Sequence, residues 1–133
     1  MNPRIALLHG PNLNMLGRRP AAHYGTLTLP QLEAQVREWG RERELDVLTF
    51  QTNHEGAFLE HVHGLVGGVD GAVVNPGAWT HYQWSIRDAL ELLAVPFVEV
   101  HLSNVEQREP HRRISVIRDL AAASAALGGA LAI

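Results

Sequence analysis

Glu99 and His101 form the clearest candidate pair for acid–base chemistry in this sequence. They lie two residues apart in a short apolar run that predicts a β-strand, so their side chains leave the same face. A carboxylate beside an imidazole fixes the imidazole tautomer and stabilises its protonated form, which creates a general acid. The alternative is a Glu99 paired with an arginine and a His101 at the surface. Spacing alone leaves both interpretations open.

Tyr24 and the neighbouring arginines Arg18 and Arg19 are a second candidate group. A tyrosine is ordinarily a poor base because its phenol stays protonated at neutral pH. An adjacent guanidinium stabilises the phenolate and makes a stronger base available. Taken alone, however, loop arginines are more often solvated, and a tyrosine among glycines and prolines is more often a hydrophobic anchor.

The remaining histidines and arginines carry weaker signals. His61 and His63 are two residues apart on a predicted helix and point in different directions, and no His-Glu-x-x-His motif occurs. We therefore expect no metal site. Three arginines at positions 108, 112 and 113 fit either an anion site or a solvated basic turn.

Composition excludes several classes of chemistry. The 133 residues include no cysteine and no lysine, and the chain has eleven arginines. Disulfides, thiol nucleophiles, lysine Schiff bases and the standard P-loop are therefore excluded. The net charge of −3, without a basic stripe, makes nucleic acid a poor partner. We see neither a signal peptide nor a membrane-spanning run, so we expect a cytoplasmic protein with no membrane partner.

The elements that must position these residues alternate along the chain. Apolar runs predict strands at about residues 5–8, 45–50, 71–74 and 96–101. Helical spacing predicts helices over about 29–44, 55–66 and 80–93, the last capped by Thr80, after a long loop over 9–27. This order predicts one α/β domain over residues 1–133, with a doubly wound parallel sheet as the middle of three layers.

Polar residues follow the strands at the edge where such a sheet binds ligands. His9 and Asn12 follow the first strand, Gln51 and Asn53 the second, Asn75 the third, and Ser103 the fourth. These amide, imidazole and hydroxyl groups predict a site for a small, hydroxyl-rich ligand.

Several longer segments then identify a family. They are His-Gly-Pro-Asn-Leu-Asn at 9–14, Gly-Arg-Arg to Tyr-Gly at 17–25, Asn-His-Glu-Gly at 53–56, Asn-Pro-Gly-Ala with Thr-His at 75–81, Arg-Asp-Ala-Leu at 87–90, and Glu-Val-His-Leu-Ser-Asn at 99–104. In this order and spacing, over about residues 4–117, the chain closely resembles type II 3-dehydroquinate dehydratases.

The resemblance implies a flavodoxin-like fold and a lyase of the shikimate pathway that needs no cofactor. Members of this family remove water from 3-dehydroquinate to give 3-dehydroshikimate, by an anti elimination through an enolate. They assemble as trimers that pack into dodecamers, so we expect a homo-oligomer. A non-catalytic binding or regulatory α/β domain on the same scaffold is the alternative.

The resemblance also implies catalytic roles. Tyr24 matches the base that removes the proton alpha to the ketone, and Arg19 matches the cation that keeps it ionised. Asn12 matches the residue that holds a water or the enolate oxygen. His101, oriented by Glu99, matches the acid that protonates the departing hydroxyl.

Substrate ligands follow in the same way. Asn75, His81 and Arg112 match residues that bind the ring hydroxyls. Leu102 and Ser103 match the carboxylate ligands.

Asp88 matches a residue that completes the site of a neighbouring subunit. The chain departs from the family pattern at Pro20-Ala21, at Tyr82-Gln83, at Ile114, and most clearly over its alanine-rich tail at 118–133. The resemblance therefore covers the catalytic positions but not the tail.

Overall fold

The apolar runs form a five-stranded parallel sheet in a computed structural model that describes residues 1–126. The strand order is β2-β1-β3-β4-β5, which is the flavodoxin-like order. The strands are β1 (Arg4–His9), β2 (Asp46–Gln51), β3 (Gly71–Asn75), β4 (Phe97–His101) and β5 (Ala123–Ala126). The helices are α1 (Ala21–Tyr24), α2 (Leu29–Glu42), α3 (Glu55–Leu65) and α4 (Trp84–Leu93).

The main core lies between the sheet and the helices α3 and α4. Its buried side chains come from both layers, and include Ala6, Leu8, Val74 and Phe97 of the sheet with Phe58, Val62, Ile86 and Leu90 of the helices. Strand residues that are apolar on both faces are expected where helices cover a parallel sheet on both sides.

Helix α2 covers the opposite face. Its start is fixed by a capping box, in which the Thr28 hydroxyl accepts from the Gln31 backbone and the Gln31 side chain accepts from the Thr28 backbone. Leu29 and Leu32 of this helix pack with Leu13, Leu16 and Leu102 in a smaller cluster. This cluster anchors the segment between β1 and α2 beside the end of β4.

The structure differs from the sequence prediction at three places. The segment over 9–27 includes a 3-10 helix (Leu13–Met15) and the short helix α1. Thr80 was predicted to cap the third long helix, but α4 begins at Trp84, and Thr80 lies in a 3-10 helix (Gly77–His81). Its hydroxyl is turned toward a buried carboxylate and is therefore not available to cap a helix.

The alanine-rich tail contributes a fifth strand that the prediction did not contain. Strand β5 pairs in parallel with β4, with Ala123 opposite Val98 and Ala126 opposite His101. The rest of the predicted atypical tail, residues 127–133, lies outside the described residues. No helix among residues 1–126 is long and apolar enough to span a membrane.

Candidate active site

A pocket opens at the carboxyl ends of β1, β3 and β4. It is lined by all the predicted site residues except Glu99 and Asp88. The register of the strands explains why these residues meet in one pocket, because His9 at the end of β1 lies opposite Asn75 at the end of β3. Side chains that are far apart in the sequence therefore meet at one edge of the sheet, as the strand pattern predicted.

Asn12 is held at the pocket by residues that follow β2. The Asn12 backbone N–H donates to Oδ1 of Asn53 at 2.9 Å. The side-chain amide of Gln51 donates to the same Oδ1 and to the Gly10 carbonyl oxygen, each at 3.1 Å. Asn12 has a left-handed backbone with φ of 69°, a conformation that asparagine tolerates better than most residues. Gln51 and Asn53 thus position the loop and do not line the pocket.

Tyr24 lies between two guanidinium groups. Arg19 Nη2 and Arg108 Nη1 each donate to the Tyr24 hydroxyl oxygen at 2.7 Å. The Arg19 guanidinium also stacks over the phenol ring, with Cζ 3.7 Å from the ring centroid. Two cations directed at one oxygen stabilise the phenolate over the neutral phenol.

The arginines also make the pocket positive. Burial lowers the pKa of Arg19, the nearby Tyr24 opposes this shift, and the charges of Arg108 and Arg112 add to it. Arg112 is partly neutralised by Glu109, whose carboxylate accepts from Nε at 2.5 Å. A pocket with three guanidinium groups at its edge favours an anionic ligand.

Glu99 and His101 form the pair that the spacing predicted. Glu99 is fully buried, and its Oε2 lies 2.7 Å from His101 Nε2. Burial would raise the pKa of the Glu99 carboxyl, but the hydrogen bonds from His101, Thr80 and Ser115 and the attraction of His101 together hold it below its ordinary value. The ionised carboxylate requires Nε2–H as a donor, which leaves Nδ1 of His101 free to act at the pocket.

His81 faces the pocket from the 3-10 helix after β3. Its Nδ1 lies 2.6 Å from the Ile114 carbonyl oxygen and donates to it, so Nε2 remains free. Burial lowers the pKa of His81, and nearby His101, His111 and Arg112 lower it further, against the hydrogen bond to Ile114. A neutral imidazole with a free Nε2 can accept a hydrogen bond from a ligand hydroxyl.

Asn75 is buried beside His81 and is held by its own turn. Its Oδ1 accepts from the Gly77 backbone N–H at 3.2 Å, and this leaves the side-chain NH2 group to donate. Ser103 is also buried, and its hydroxyl oxygen accepts from Arg108 at 3.2 Å. Ser103 can therefore direct its own proton to a ligand oxygen.

Asp88 does not reach this pocket. It lies on the exposed side of α4 and is not among the residues that line the site. Within residues 1–126, no group of three or more His, Cys, Asp or Glu side chains is arranged to hold a metal ion.

Three residues of the site were not among the predicted site residues. The sequence around Arg108 fits either an anion site or a solvated turn, and in the structure Arg108 contacts the Tyr24 hydroxyl from 84 positions along the chain. Thr80 and Ser115 both donate to Glu99. No local spacing connects these residues to their partners. The sequence gives a signal only for the polar turn after β4, residues 103–113, and this signal does not distinguish Arg108 from Arg112 and Arg113.

Comparison with known proteins agrees with this arrangement. Residues 3–131 match the family model described as dehydroquinase class II. The 3-dehydroquinate dehydratase of Pelobacter propionicus is 51% identical over 119 residues, which cover 89% of this chain and 80% of the relative. The enzyme of the same name from Thermotoga maritima is 47% identical over 117 residues, which cover 88% of this chain and 80% of the relative.

Solved structures are also similar. The type II dehydroquinase of Butyrivibrio crossotus superposes with a TM-score of 0.93 at 37% identity, covering 97% of this chain and 90% of that one. The type II dehydroquinase of Propionibacterium acnes gives a TM-score of 0.91 at 42% identity, covering 96% and 89%. With a family match over nearly the whole sequence and relatives near 50% identity, the chain belongs to the class II dehydroquinase family.

Proposed function

We propose that this chain is a lyase that dehydrates 3-dehydroquinate to 3-dehydroshikimate, a step of the shikimate pathway. The observation that carries the proposal is a tyrosine between two guanidinium groups, in one pocket with a carboxylate-backed histidine. The names of the relatives, 3-dehydroquinate dehydratase, give the substrate. The substrate is a β-hydroxy ketone with a carboxylate, so its dehydration needs a base, an enolate stabiliser and an acid.

Tyr24 is the base in this proposal. Its phenolate takes the proton from the carbon between the ketone and the carbon that bears the leaving hydroxyl. Such a proton is only weakly acidic, and Arg19 and Arg108 make the phenolate available. Because the two guanidiniums are fixed in place, their charges need no reorganisation during the reaction.

The enolate forms when this proton leaves, and its negative charge develops on the ketone oxygen. Asn12 can hold that oxygen directly or through a water, because its backbone is already fixed by Asn53. Arg19 contributes positive charge to the same region. Hydrogen-bond donors at such a position lower the barrier where charge develops.

His101 then supplies the proton for the second step. Protonated His101 donates from Nδ1 to the departing hydroxyl, the carbon–oxygen bond breaks, and the enolate electrons form the new double bond. Water leaves, and the ketone is restored. The ionised Glu99 stabilises the imidazolium before this transfer and fixes its orientation.

The residues that bind the substrate fall into two groups, one for its ring hydroxyls and one for its carboxylate. Asn75, His81 and Arg112 present donors and acceptors to the ring hydroxyls. Ser103 and the backbone at Leu102 take the carboxylate, beside the positive Arg108.

We further propose that the chain works as a homo-oligomer of trimers that pack into a dodecamer, in the cytoplasm, with residues 1–133 forming one domain. Asp88 then completes a neighbour's site. Exposed apolar side chains close to α4 support an interface there: Tyr82, Trp84 and Ile114 are all more than half exposed. The single described sheet supports one domain.

A non-catalytic binding domain on this scaffold is not favoured. Ligand binding alone gives no reason to place two cations on Tyr24 and a buried carboxylate behind His101. A binding domain would retain the pocket without needing either pair.

Mixing the protein with 3-dehydroquinate tests the proposal, because the product has a conjugated enone and the substrate does not. We expect ultraviolet absorbance of the enone to rise without any added metal or cofactor. A folded protein that gives no enone at millimolar substrate would refute the proposed function.

A further inference from the structure

The buried Glu99 carboxylate has more hydrogen-bond donors than the partnership with His101 requires. Thr80 Oγ1 donates to Oε2 at 2.5 Å, and Ser115 Oγ donates to Oε1 at 2.8 Å. His101 Nε2 takes the remaining place on Oε2 at 2.7 Å. The carboxylate thus accepts three hydrogen bonds in a site with no solvent exposure.

The proton of each hydroxyl is committed to this carboxylate. Ser115 Oγ accepts from the backbone N–H groups of Ile117 at 3.2 Å and Arg118 at 3.0 Å. A hydroxyl has one proton to donate. Because the Ser115 oxygen already accepts from two backbone N–H groups, its proton points toward Glu99. Thr80 is almost fully buried, and its Oγ1 lies closer to Glu99 Oε2, at 2.5 Å, than to Ser115 Oγ, at 3.0 Å, so the carboxylate is the favoured acceptor of its proton.

These hydroxyls come from two segments that also carry ligand-binding residues. Thr80 directly precedes His81 in the 3-10 helix after β3. Ser115 follows the 3-10 helix Pro110–Arg113, which contains Arg112. The segment after Ser115 is fixed to α4, because Arg87 donates to the Val116 carbonyl oxygen at 2.9 Å and pairs with Asp119 at 2.5 Å.

We propose that Thr80 and Ser115 are positioning residues for the proton donor, which act on His101 through Glu99. This inference rests on the proposed dehydratase function and extends it to two residues outside the Glu99–His101 pair. Their hydroxyls keep Glu99 ionised and hold it in one orientation. His101 is thereby held with Nε2–H directed at the carboxylate and Nδ1 at the pocket.

The two hydroxyls also limit how strongly Glu99 accepts the hydrogen bond from His101. Each hydroxyl bond spreads part of the carboxylate charge and makes Glu99 less basic. The other titratable group facing this pair is His81, with its ring 6.3 Å from that of His101, and His81 is itself close to His111 and Arg112. Removing a hydroxyl leaves these groups unchanged and makes Glu99 a stronger acceptor, so His101 should keep its proton to a higher pH.

Paired substitutions test this role through kinetics. Ser115→Ala and Thr80→Val remove a hydroxyl, whereas Ser115→Thr and Thr80→Ser retain it. Ser85→Ala is the matched control, since Ser85 also donates to a glutamate, Glu55, on helices that do not line the pocket.

We expect each hydroxyl loss to lower kcat about tenfold, the scale of one hydrogen bond to a charged group. The alkaline limb of the kcat profile should move to higher pH, with KM within about twofold.

Nuclear magnetic resonance of the His101 ring gives a second readout that needs no substrate. We expect the titration midpoint of this ring to rise in Ser115→Ala and to stay in place in Ser115→Thr and Ser85→Ala. If Thr80→Val does not fold, the partly exposed Ser115 carries the test. An unmoved midpoint in Ser115→Ala, or an equal shift in Ser85→Ala, would overturn the inference. Wild-type protein without turnover would instead refute the proposed function and leave the titration result intact.

Discussion

At the scale of single residues, the contact that matters most is the one between Tyr24 and its two arginines. One guanidinium comes from five residues before Tyr24 and the other from 84 residues after it. The side chain of Arg108 is only 12% exposed, so its charge acts on the phenol oxygen with little screening. Tyr24, the proposed base, therefore depends on the turn after β4 as much as on its own loop.

Arg108→Gln should therefore weaken Tyr24 as the proposed base. Loss of one charge-assisted hydrogen bond is worth about 1.5–3 kcal/mol, so kcat should fall by a factor of about 10 to 150. Because the base must be ionised and one cation is gone, the acid limb of the pH profile should move to higher pH. Steady-state kinetics across pH measure both effects.

Arg113→Gln is the control for this change. Arg113 lies in the same turn but donates to the Glu106 carbonyl oxygen, away from Tyr24. Equal losses in the two variants would show that the turn matters as a whole and that the phenol contact has no special role.

The residue pairs differ in how far the sequence could predict them. Glu99 and His101 were predictable because strand geometry places alternate residues on one face. Arg19 and Tyr24 were identified together because they share one loop. Arg108, in contrast, contacts Tyr24 only because the turn after β4 packs beside the loop after β1. Local sequence spacing does not encode this contact.

At the scale of elements, the loops after β1 and β3 are packed against each other closely. A Cβ atom on Gly10 would lie 2.3 Å from the Pro76 carbonyl oxygen, which belongs to the backbone and cannot turn away. Gly10 therefore permits the close approach that brings Asn12 and Asn75 into one pocket.

Gly10→Ala should separate these loops. We expect a loss of about 1–3 kcal/mol in the free energy of unfolding, as for other overpacked sites, together with weaker substrate binding. Gly64→Ala is the control, because its Cβ would meet nothing within 4 Å and alanine favours a helix. Urea unfolding and KM should separate the two variants, and similar values for both would argue against the close approach.

The strands and long helices were largely predictable from the sequence, whereas the ends of elements at the site were not. Apolar runs and helical spacing placed β1 to β4, α2 and α3 close to their observed bounds. The sequence predicts a cap role for Thr80 because threonine is a good N-cap. Its hydroxyl binds the buried Glu99 from another strand instead, and such tertiary partners override local preference.

At the scale of the whole molecule, His9 links stability to pH. It is 1% exposed at the end of β1, and neither ring nitrogen has a hydrogen-bond partner among residues 1–126. Burial lowers the pKa of His9 to about 4, against a small opposing effect of Glu33. The unfolded chain binds this proton near pH 6.5, so between pH 6.5 and about 4 protons favour unfolding.

Wild-type stability should accordingly fall as the pH drops, by about 2 kcal/mol from His9 alone between pH 7 and pH 5. The variant His9→Leu has an apolar side chain of similar size and should lose this part of the pH dependence. Urea unfolding at the two pH values measures the difference. An unchanged pH dependence in the variant would assign the effect to other groups.

Assembly is the second property of the whole molecule that can be tested. If Asp88 completes a neighbour's site, Asp88→Ala and Tyr24→Phe should each be nearly inactive alone. Subunits of the two variants, dissociated and reassembled together, should recover activity. The recovered sites combine Tyr24 of one subunit with Asp88 of another. A fully active Asp88→Ala, or a mixed oligomer with no activity, would contradict the role in a neighbouring site.

The most direct test of the two-step mechanism follows the substrate proton in deuterated water by nuclear magnetic resonance. Because the proposed mechanism has Tyr24 form the enolate before His101 donates, His101→Ala should exchange the alpha proton of 3-dehydroquinate for deuterium while forming almost no product. Tyr24→Phe should show neither exchange above the buffer rate nor product. Exchange that persists in Tyr24→Phe but disappears in His101→Ala would reverse the two proposed roles and contradict this mechanism.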